Sequence, residues 1–507
     1  MRKKITNALI SVYHKDRLDE IVGLLNGLGV KIFSTGGTYE YIDKLHGNAA
    51  TVESLTSYPA ILGGRVKTLH PKIFGGILYR RNDKNDLMQV EEYDIPPIDL
   101  VIVDLYPFQE TLMATNDEDE IIEKIDVGGI SLIRAAAKNY NDVLIVASSA
   151  MYDDLIRLLE EKKGYTDLDD RKRFATHAFH ISSHYDTAIF HYFNSEKGDE
   201  KVLKFSFANP HSLRYGENPH QSGIFYGKLE DVFEQLHGKE ISYNNLGDLE
   251  AGIGLISEFN ETTFAILKHN NACGCASRPR LLDAWRDALA GDPVSAYGGV
   301  LVTNTEIDDD TAAEIDKLFF EIILAPGFKK NGLELLKAKK NRILLRSRSF
   351  DFPRYQFKSI LNGVIWQDRD LKTEGPADLR TVTTKTPSDP EITDLIFANK
   401  LVKHSRSNSI VLAKNKQLLA SGVGQTSRVD ALKQAIVKAG EFKFDLQGAV
   451  MASDAFFPFA DCVEIAHAAG ITAVIEPGGS IRDKDSIEFC NTHEVSMVFS
   501  GTRHFKH

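Results

Sequence analysis

Several things are scarce in this 507-residue chain, and each scarcity removes a class of protein. There are four cysteines, Cys273, Cys275, Cys462 and Cys490, too few to build a disulfide framework in a chain this long. No stretch approaches the ~18 consecutive apolar residues that a membrane-crossing helix needs. The apolar run at 8–12 is too short for a secretory signal, and no small-residue cleavage site follows it. A cytoplasmic protein is the expectation. Positive charge is also short: 60 Lys and Arg stand against 71 Asp and Glu, for a net charge of −11. That excludes a general nucleic-acid scaffold with a basic surface, while leaving room for small basic pockets that hold a phosphorylated metabolite. A Walker A loop, a G-x-G-x-x-G fingerprint, low-complexity tracts and a convincing internal sequence repeat are missing as well. With 43% hydrophobic and 26% charged residues, what remains has the composition of a globular protein. Its length suits two to four domains with real cores.

The order of elements points to an α/β fold. Up to residue ~195, strand and helix signals alternate, as in a parallel sheet. NALISV (7–12), VKIFST (30–35), DLVIVDLY (99–106) and VLIVAS (143–148) read as strands, the third apolar almost throughout as a doubly buried strand requires. Helices are predicted near 16–28 and 38–46, and one long helix over 168–193. The charged stretch EKGDEK (196–201) reads as a linker, and TEGPADLR (373–380) as a second break. The expected domains are 1–195, 200–370 and 375–507. In such sheets, ligands bind at the carboxyl ends of the strands.

Five segments carry chemistry. STGGT (34–38) follows a strand and precedes a helix, so its backbone N–H groups and hydroxyls suit an anion; the plain alternative is a helix start. GGRVKTLHPKIFGG (63–76) gathers Arg65, Lys67, His70 and Lys72 between two glycine pairs, which suits an anionic ligand, or forms a solvated basic loop. In DVGGISLIRAAAKNY (126–140), Asp126 is either a helix cap or a proton acceptor, with Lys138 three turns on. His177, His180 and His184 share one helical face without the H-E-x-x-H arrangement of a metal site. ILKHNNACGCA (266–276) leaves four readings open: a metal site of His269, Cys273 and Cys275; a thiol redox site; an acid–base pair, Lys268 and His269, at a strand end; or an ordinary strand and loop.

Taken in order, the motifs resemble a known family. SVYHKDRL, STGGT, GGRVKTLHPKIFGGIL, DLVIVDLYPF and DVGGISLIRAAAKN are similar to the N-terminal half of the bifunctional purine-biosynthesis enzymes. These join IMP cyclohydrolase to 5-aminoimidazole-4-carboxamide ribonucleotide (AICAR) transformylase. LRYGENPHQ, YNNLGDLEA, LKHNNACG, DPVSAYGG, IILAPGF, SNSIVLAKN, GVGQTSRVDA, SDAFFPFAD, PGGSIRD and RHFKH resemble the transformylase half. The resemblance runs from about residue 5 to the C-terminus. It implies a methylglyoxal-synthase-like domain of parallel α/β type, followed by two cytidine-deaminase-like subdomains. It also implies a homodimer with transformylase sites at its interface, 10-formyltetrahydrofolate as cosubstrate and no catalytic metal.

The resemblance also assigns residues. In formyl transfer the aminoimidazole nitrogen is a poor nucleophile, because its lone pair is conjugated into the ring. The step therefore needs a base and a group that stabilises the developing oxyanion. By motif match, His269 is the base, Lys268 holds the formyl oxygen or assists proton transfer, and Asn408 positions the formyl group. Arg214, Tyr215, Arg428 and Arg503 bind phosphate and carboxamide, Phe456 and Phe459 wall the ring, and Asp461 contacts the folate. For ring closure, Ser11, Lys15, Ser34, Thr35, Gly36, Arg65, Lys67 and Thr68 hold the nucleotide. Lys67, Tyr106, Asp126 and Lys138 are the candidates for proton transfer.

The sequence departs from the family at Tyr13 and His14, at Ala272 in place of proline, and at Arg406 in place of lysine. Two rival functions compete with the resemblance. A zinc nucleoside or base deaminase would need H-x-E or C-x-E with P-C-x-x-C, which this chain does not have. A catalytically silent nucleotide-binding module is disfavoured by the persistence of Lys268, His269, Lys67 and Tyr106.

Overall fold

The apolar runs of the N-terminal part become one parallel sheet: β1 (Asn7–Ser11), β2 (Lys31–Ser34), β3 (Ala49–Thr51), β4 (Leu100–Val103) and β5 (Leu144–Val146). The order is β3-β2-β1-β4-β5 and every pairing is parallel. All four residues of β4 are buried, as expected of a strand covered by helices on both faces. Two apolar cores flank the sheet. The chain runs outward from β1 through β2 to β3 and resumes with β4 on the other side of β1. The topological switch point therefore lies at the carboxyl ends of β1 and β4, where a ligand crevice is expected. The long helix spans Leu168–Ser195, two residues beyond its predicted end.

The computed structural model describes residues 2–195, 201–349 and 351–507, in two compact units, Met1–Ser206 and Phe207–His507. Apart from Lys201, the expected linker at 196–201 lies outside the described residues.

The second unit is built on a twelve-stranded mixed sheet. Its strands are β6 (Phe233–His237), β7 (Thr263–Lys268), β8 (Asn271–Ser277), β9 (Gly299–Thr303), β10 (Phe320–Ala325), β11 (Ile343–Ser347), β12 (Arg380–Thr381), β13 (Ile410–Lys414), β14 (Gln417–Gly422), β15 (Val450–Ser453), β16 (Ala473–Glu476) and β17 (Ser496–Phe499). The order is β6-β11-β10-β9-β7-β8-β14-β13-β15-β16-β17-β12.

A topological repeat runs through this order. In the first half, β7 pairs antiparallel with β8 and β9, and β9, β10 and β11 run parallel. In the second half, β13 pairs antiparallel with β14 and β15, and β15, β16 and β17 run parallel. The halves join where Ala276 of β8 meets Gln417 of β14. Helices α1 (Tyr243–Ile256) and α2 (Asp389–Lys403) pack into one core shared by both halves. The opposite face carries a separate core for each half.

Candidate active sites

At the switch point of the first unit, short polar side chains hold the strand ends together. Ser34 Oγ donates to the Ile10 carbonyl (2.7 Å), Thr38 Oγ1 to the Val12 carbonyl (2.9 Å), and the Ser11 and Thr35 hydroxyls lie 3.2 Å apart. Thr35 precedes the helix Gly36–Lys44, and Gly36 has φ +48°. Asp104, just beyond β4, accepts the N–H groups of Tyr13 and His14. The loop that departs from the family is therefore held by a carboxylate the sequence reading did not single out. Lys15 Nζ donates to the Tyr13 carbonyl (3.0 Å). Burial pulls its pKa below the usual lysine value, partly offset by Asp104.

Around residue 126 a second cluster forms. Asp126 Oδ1 accepts the Gly129 N–H at 2.6 Å. The helix Gly128–Lys138 begins after Val127, so Asp126 stands one residue before the cap position and still satisfies a first-turn donor. Burial pushes the Asp126 carboxyl up against the opposing pull of the Gly129 and Tyr106 N–H groups and of Lys67. Burial also raises the Tyr106 hydroxyl, as do the nearby carboxylates of Asp126 and Glu123. A Cβ at Gly128 would sit 3.2 Å from Thr68 Oγ1, and one at Gly129 would sit 2.6 Å from Asp126 Oδ2. The glycine pair therefore lets this helix start close in on Thr68 and Asp126.

Two features of GGRVKTLHPKIFGG differ from the basic loop read in its sequence. The second glycine pair of GGRVKTLHPKIFGG is not a flexible flank: it lies inside the helix Pro71–Leu78. There a Cβ at Gly76 would clash with the Pro96 carbonyl at 2.5 Å. His70 caps that helix through the Lys72 N–H, and Lys72 Nζ lies 3.5 Å from Asp94. The basic cluster thins further because Arg65 is paired with Glu123. Lys138 closes the helix that starts beside Asp126, is exposed, and stands about 15 Å along it from that start. The structure does not bring these two residues together. A cavity of about 260 Å³ adjoins Lys67 and is lined also by Tyr58, Val66 and His70.

In the second unit, β7 delivers Lys268 to a two-residue turn whose central residues are His269 (φ +52°) and Asn270 (φ +64°). Two positive φ values in succession are the signature of a type I′ hairpin turn, which asparagine tolerates better than histidine does. The turn is held from several sides. Asp248 of α1 accepts the Asn270 N–H at 2.6 Å. Burial pushes the Asp248 carboxyl up, while the Asn270 N–H and the nearby His269 and Lys268 pull the other way. Lys268 Nζ donates to the carbonyls of Tyr297 (2.9 Å) and Gly298 (3.0 Å). An ammonium has three N–H bonds, so one remains to act. Asn408 is tied to Gln425, whose carbonyl accepts the Asn408 side-chain N–H (3.0 Å) and backbone N–H (3.2 Å).

The cysteines of this segment cannot share an ion. The register slips by one residue between Ile266 and Leu267. Cys273 consequently packs with the core on one face of the sheet and Cys275 with the core on the other. Burial pushes the Cys273 thiol up to about 12, and the Cys275 thiol up as well. Thiols held protonated in this way are poor nucleophiles and poor metal ligands. Among the described residues, no group of three or more His, Cys, Asp or Glu is arranged to hold a metal ion. His177 Nε2 bonds the Ser148 hydroxyl, and His184 Nδ1 the Ser206 hydroxyl.

The remaining candidates lie on other elements of this unit. Arg428 is buried against Ser453 (3.1 Å) and Asp454 (3.2 Å). Arg214 stacks on and bonds Tyr215, and Arg503 lies over Phe505. Phe456 and Phe459 are exposed while Phe457 between them is core. Asp461 opens the helix Asp461–Ala468. Phe459 and Asp461 line a surface hollow of about 510 Å³ together with Arg482, which lies over the Phe459 ring. Among the described residues, no hydrogen bond or ion pair joins Arg214, Tyr215 or Arg503 to Lys268, His269 or Asn408.

Comparison with known proteins gives this arrangement its family. Residues 136–438 match the family described as AICARFT/IMPCHase bienzyme, and residues 17–131 match the MGS-like domain. The bifunctional purine biosynthesis protein PurH of Bacteroides thetaiotaomicron is 61% identical over 505 residues, covering 100% of this chain and 99% of that protein. Those of Acetivibrio thermocellus and Persephonella marina are each 45% identical, covering 99% of this chain and 99–100% of their own. The chain belongs to the AICARFT/IMPCHase bienzyme family. It is an enzyme with two activities, AICAR transformylase and IMP cyclohydrolase, which complete purine-ring synthesis. Neither the deaminase nor the silent-module reading finds support in these relatives. In the bienzyme, sequence reasoning missed Asp248, Asn271, Asp104 and Arg482. Of these only Asp248 had a usable signal, an acidic residue five positions into the helix before the Lys-His strand.

Proposed function

We propose that the transformylase reaction is carried by the Lys268–His269 turn, with 10-formyltetrahydrofolate as formyl donor. His269 takes a proton from the 5-amino group of AICAR as its nitrogen attacks the formyl carbon. The remaining N–H of Lys268 stabilises the oxyanion, and Asn408 orients the formyl group. The bond from the formyl carbon to the folate nitrogen then breaks, and that nitrogen receives a proton. The observation that carries this reading is the strained turn: His269 is held at positive φ next to a lysine whose other N–H bonds are spent on Tyr297 and Gly298. Positioned acid–base groups contribute about 10²- to 10⁴-fold to such a step. Arg214, Tyr215, Arg428 and Arg503 bind the nucleotide; Phe456, Phe459 and Asp461 meet its ring and the folate.

Ring closure in the first unit needs less. Nucleophile and carbonyl belong to one molecule, so positioning supplies much of the rate. Ser11, Lys15, Ser34, Thr35, Gly36, Arg65 and Thr68 hold the nucleotide, while Lys67, Tyr106 and Asp126 handle protons. The raised Asp126 and Tyr106 suit groups that exchange protons in a partly dry site. A role for Lys138 rests on the family resemblance alone.

A homodimer in the cytoplasm fits these sites. The exposed apolar hairpin Tyr355–Ile360 and Gly363–Asp368, whose Leu361 is 98% exposed, supports an interface with a second copy. No helix among the described residues is long and apolar enough to cross a membrane. Residues 200–370 and 375–507 serve as two subdomains, a division supported by the topological repeat. The decisive assay adds AICAR and 10-formyltetrahydrofolate to purified dimer, expecting a folate absorbance change followed by IMP. Neither product appearing would overturn the assignment. His269→Ala is expected to stop formyl transfer and still cyclise supplied formyl-AICAR, and Lys67→Ala to do the reverse.

A further inference from the structure

One side chain in this region touches both loops that the formyl-transfer reading depends on. Asn271 follows the turn as the first residue of β8 and pairs across it with Lys268. Its amide nitrogen donates to the His269 carbonyl at 2.8 Å. Its amide oxygen accepts the Arg406 N–H at 2.9 Å. Arg406 lies two residues before Asn408, and its own carbonyl accepts the N–H of Gly424 at 2.7 Å, next to Gln425, which holds Asn408. From His269 to Asn408 there is thus a continuous hydrogen-bonded path, with Asn271 its only link between the hairpin and the Arg406–Asn408 loop among the bonds found in the described residues. An aspartate here would keep the acceptor and lose the donor; an alanine would lose both. Few side chains other than asparagine carry a donor and an acceptor on one carbon at this reach.

We infer that Asn271 is a positioning residue for formyl transfer: it fixes the histidine base and the formyl-orienting asparagine relative to each other. This rests on the assignment of His269 and Asn408 made above. Asn271 acts through the His269 carbonyl and the Arg406 N–H and makes no proton transfer itself. A misplacement of about 1 Å between reacting groups can cost about 10²-fold in rate. Removing the bridge should therefore depress kcat without weakening either substrate's binding.

The test uses the full-length protein with AICAR and 10-formyltetrahydrofolate, and formyl-AICAR as a separate substrate for ring closure. Asn271→Ala and the isosteric Asn271→Asp are compared with His269→Ala. Both Asn271 variants are expected to lose about 10- to 100-fold in kcat for formyl transfer, with KM for both substrates within about twofold of the parent and ring closure unchanged. A folded Asn271 variant with parental kcat overturns the inference, provided His269→Ala is inactive. A raised KM at constant kcat also overturns it, because Asn271 would then be a binding contact. Loss of fold in both variants overturns it too, since the residue would serve stability and not the site. An active His269→Ala would instead sink the underlying assignment.

Discussion

The β7–β8 and β13–β14 hairpins are built alike. Lys268 pairs across its turn with Asn271 as Lys414 does with Gln417, and the register slips at the same place, between Ile266 and Leu267 in one and between Leu412 and Ala413 in the other. Both turns have two central residues at positive φ, His269 and Asn270 in one, Asn415 and Lys416 in the other. Both are held by an aspartate of the preceding helix: Asp248 accepts the Asn270 N–H, and Asp394 accepts those of Asn415 and Lys416 at 2.7 Å each. The difference lies seven residues after the first residue of the return strand, just past the strand's end. Arg278 reaches across to the second turn, donating to the Asn415 carbonyl at 2.6 Å while bound to Asp287. The corresponding residue beside the first turn is Gly424, which has no side chain to reach with. One fold element, used twice, is a filled structural joint in one half and a histidine-bearing turn left uncovered in the other.

Filling the uncovered turn is the strongest way to break this contrast. Gly424→Arg places a guanidinium where Arg278 has its counterpart, and formyl transfer should fall by at least ~100-fold while ring closure persists. Gly424→Ala is the control. Its Cβ would find Arg406 Cδ no nearer than 3.8 Å, so it pays only the ~1 kcal/mol of a non-glycine residue at positive φ and should retain most activity. A Gly424→Arg enzyme with parental turnover would refute the contrast.

The two aspartates sharpen it. Asp248→Ala should lower kcat for formyl transfer about tenfold, because the turn that presents His269 loses its tether. Asp394→Ala removes a buried carboxylate from two N–H donors and should cost about 2–3 kcal/mol of stability with kcat unchanged, as measured by denaturant melts beside steady-state rates. Arg278→Ala comes next: it should cost about 1 kcal/mol or less, since the Arg278–Asp287 pair is partly exposed, and formyl transfer should not change. Equal kinetic effects from Asp248 and Asp394 would mean that the halves are not functionally distinct.

This contrast also shows what could be read from residues alone. The Lys-His pair at a strand end was legible, because an apolar run ending in polar turn residues marks both the strand and its exit. The parallel sheet of the first unit was legible for the same reason: Leu100–Val103 is a doubly buried run. The repeat in the second unit was not. TFAILK and IVLAK share little beyond apolar character and a final lysine, and the repeat resides chiefly in the hydrogen-bond register and the bulge position, which leave no residue signature. The bulge likewise decided the fate of Cys273 and Cys275: simple alternation puts them on one face, and the slipped register puts them in different cores. The glycines of GGRVKTLHPKIFGG misled because a helix glycine packed against the Pro96 carbonyl looks, in sequence, like a loop glycine.

The smallest kinetic effect concerns the C-terminal tail. His504 follows Arg503 and is nearly fully buried. Its Nδ1 lies 2.6 Å from Asp370 and its Nε2 3.0 Å from Glu374. Burial alone would push this histidine down, but the two carboxylates outweigh it and raise it to about 9. An unfolded histidine titrates near ~6.5. The folded state therefore binds this proton more tightly, and the contribution is complete below ~6.5 and lost as pH rises through about 9. Thermal melts should show Tm declining from pH 7 to 10, and His504→Gln should flatten part of that decline. Because the imidazolium also pins the residue after Arg503, KM for AICAR should rise over the same interval in the parent enzyme and much less in the variant. A pH dependence of Tm identical in the two proteins would show that the tail is held by other contacts, such as the Ser407 N–H donating to the Lys506 carbonyl and the Lys506 N–H donating to the Ser407 hydroxyl.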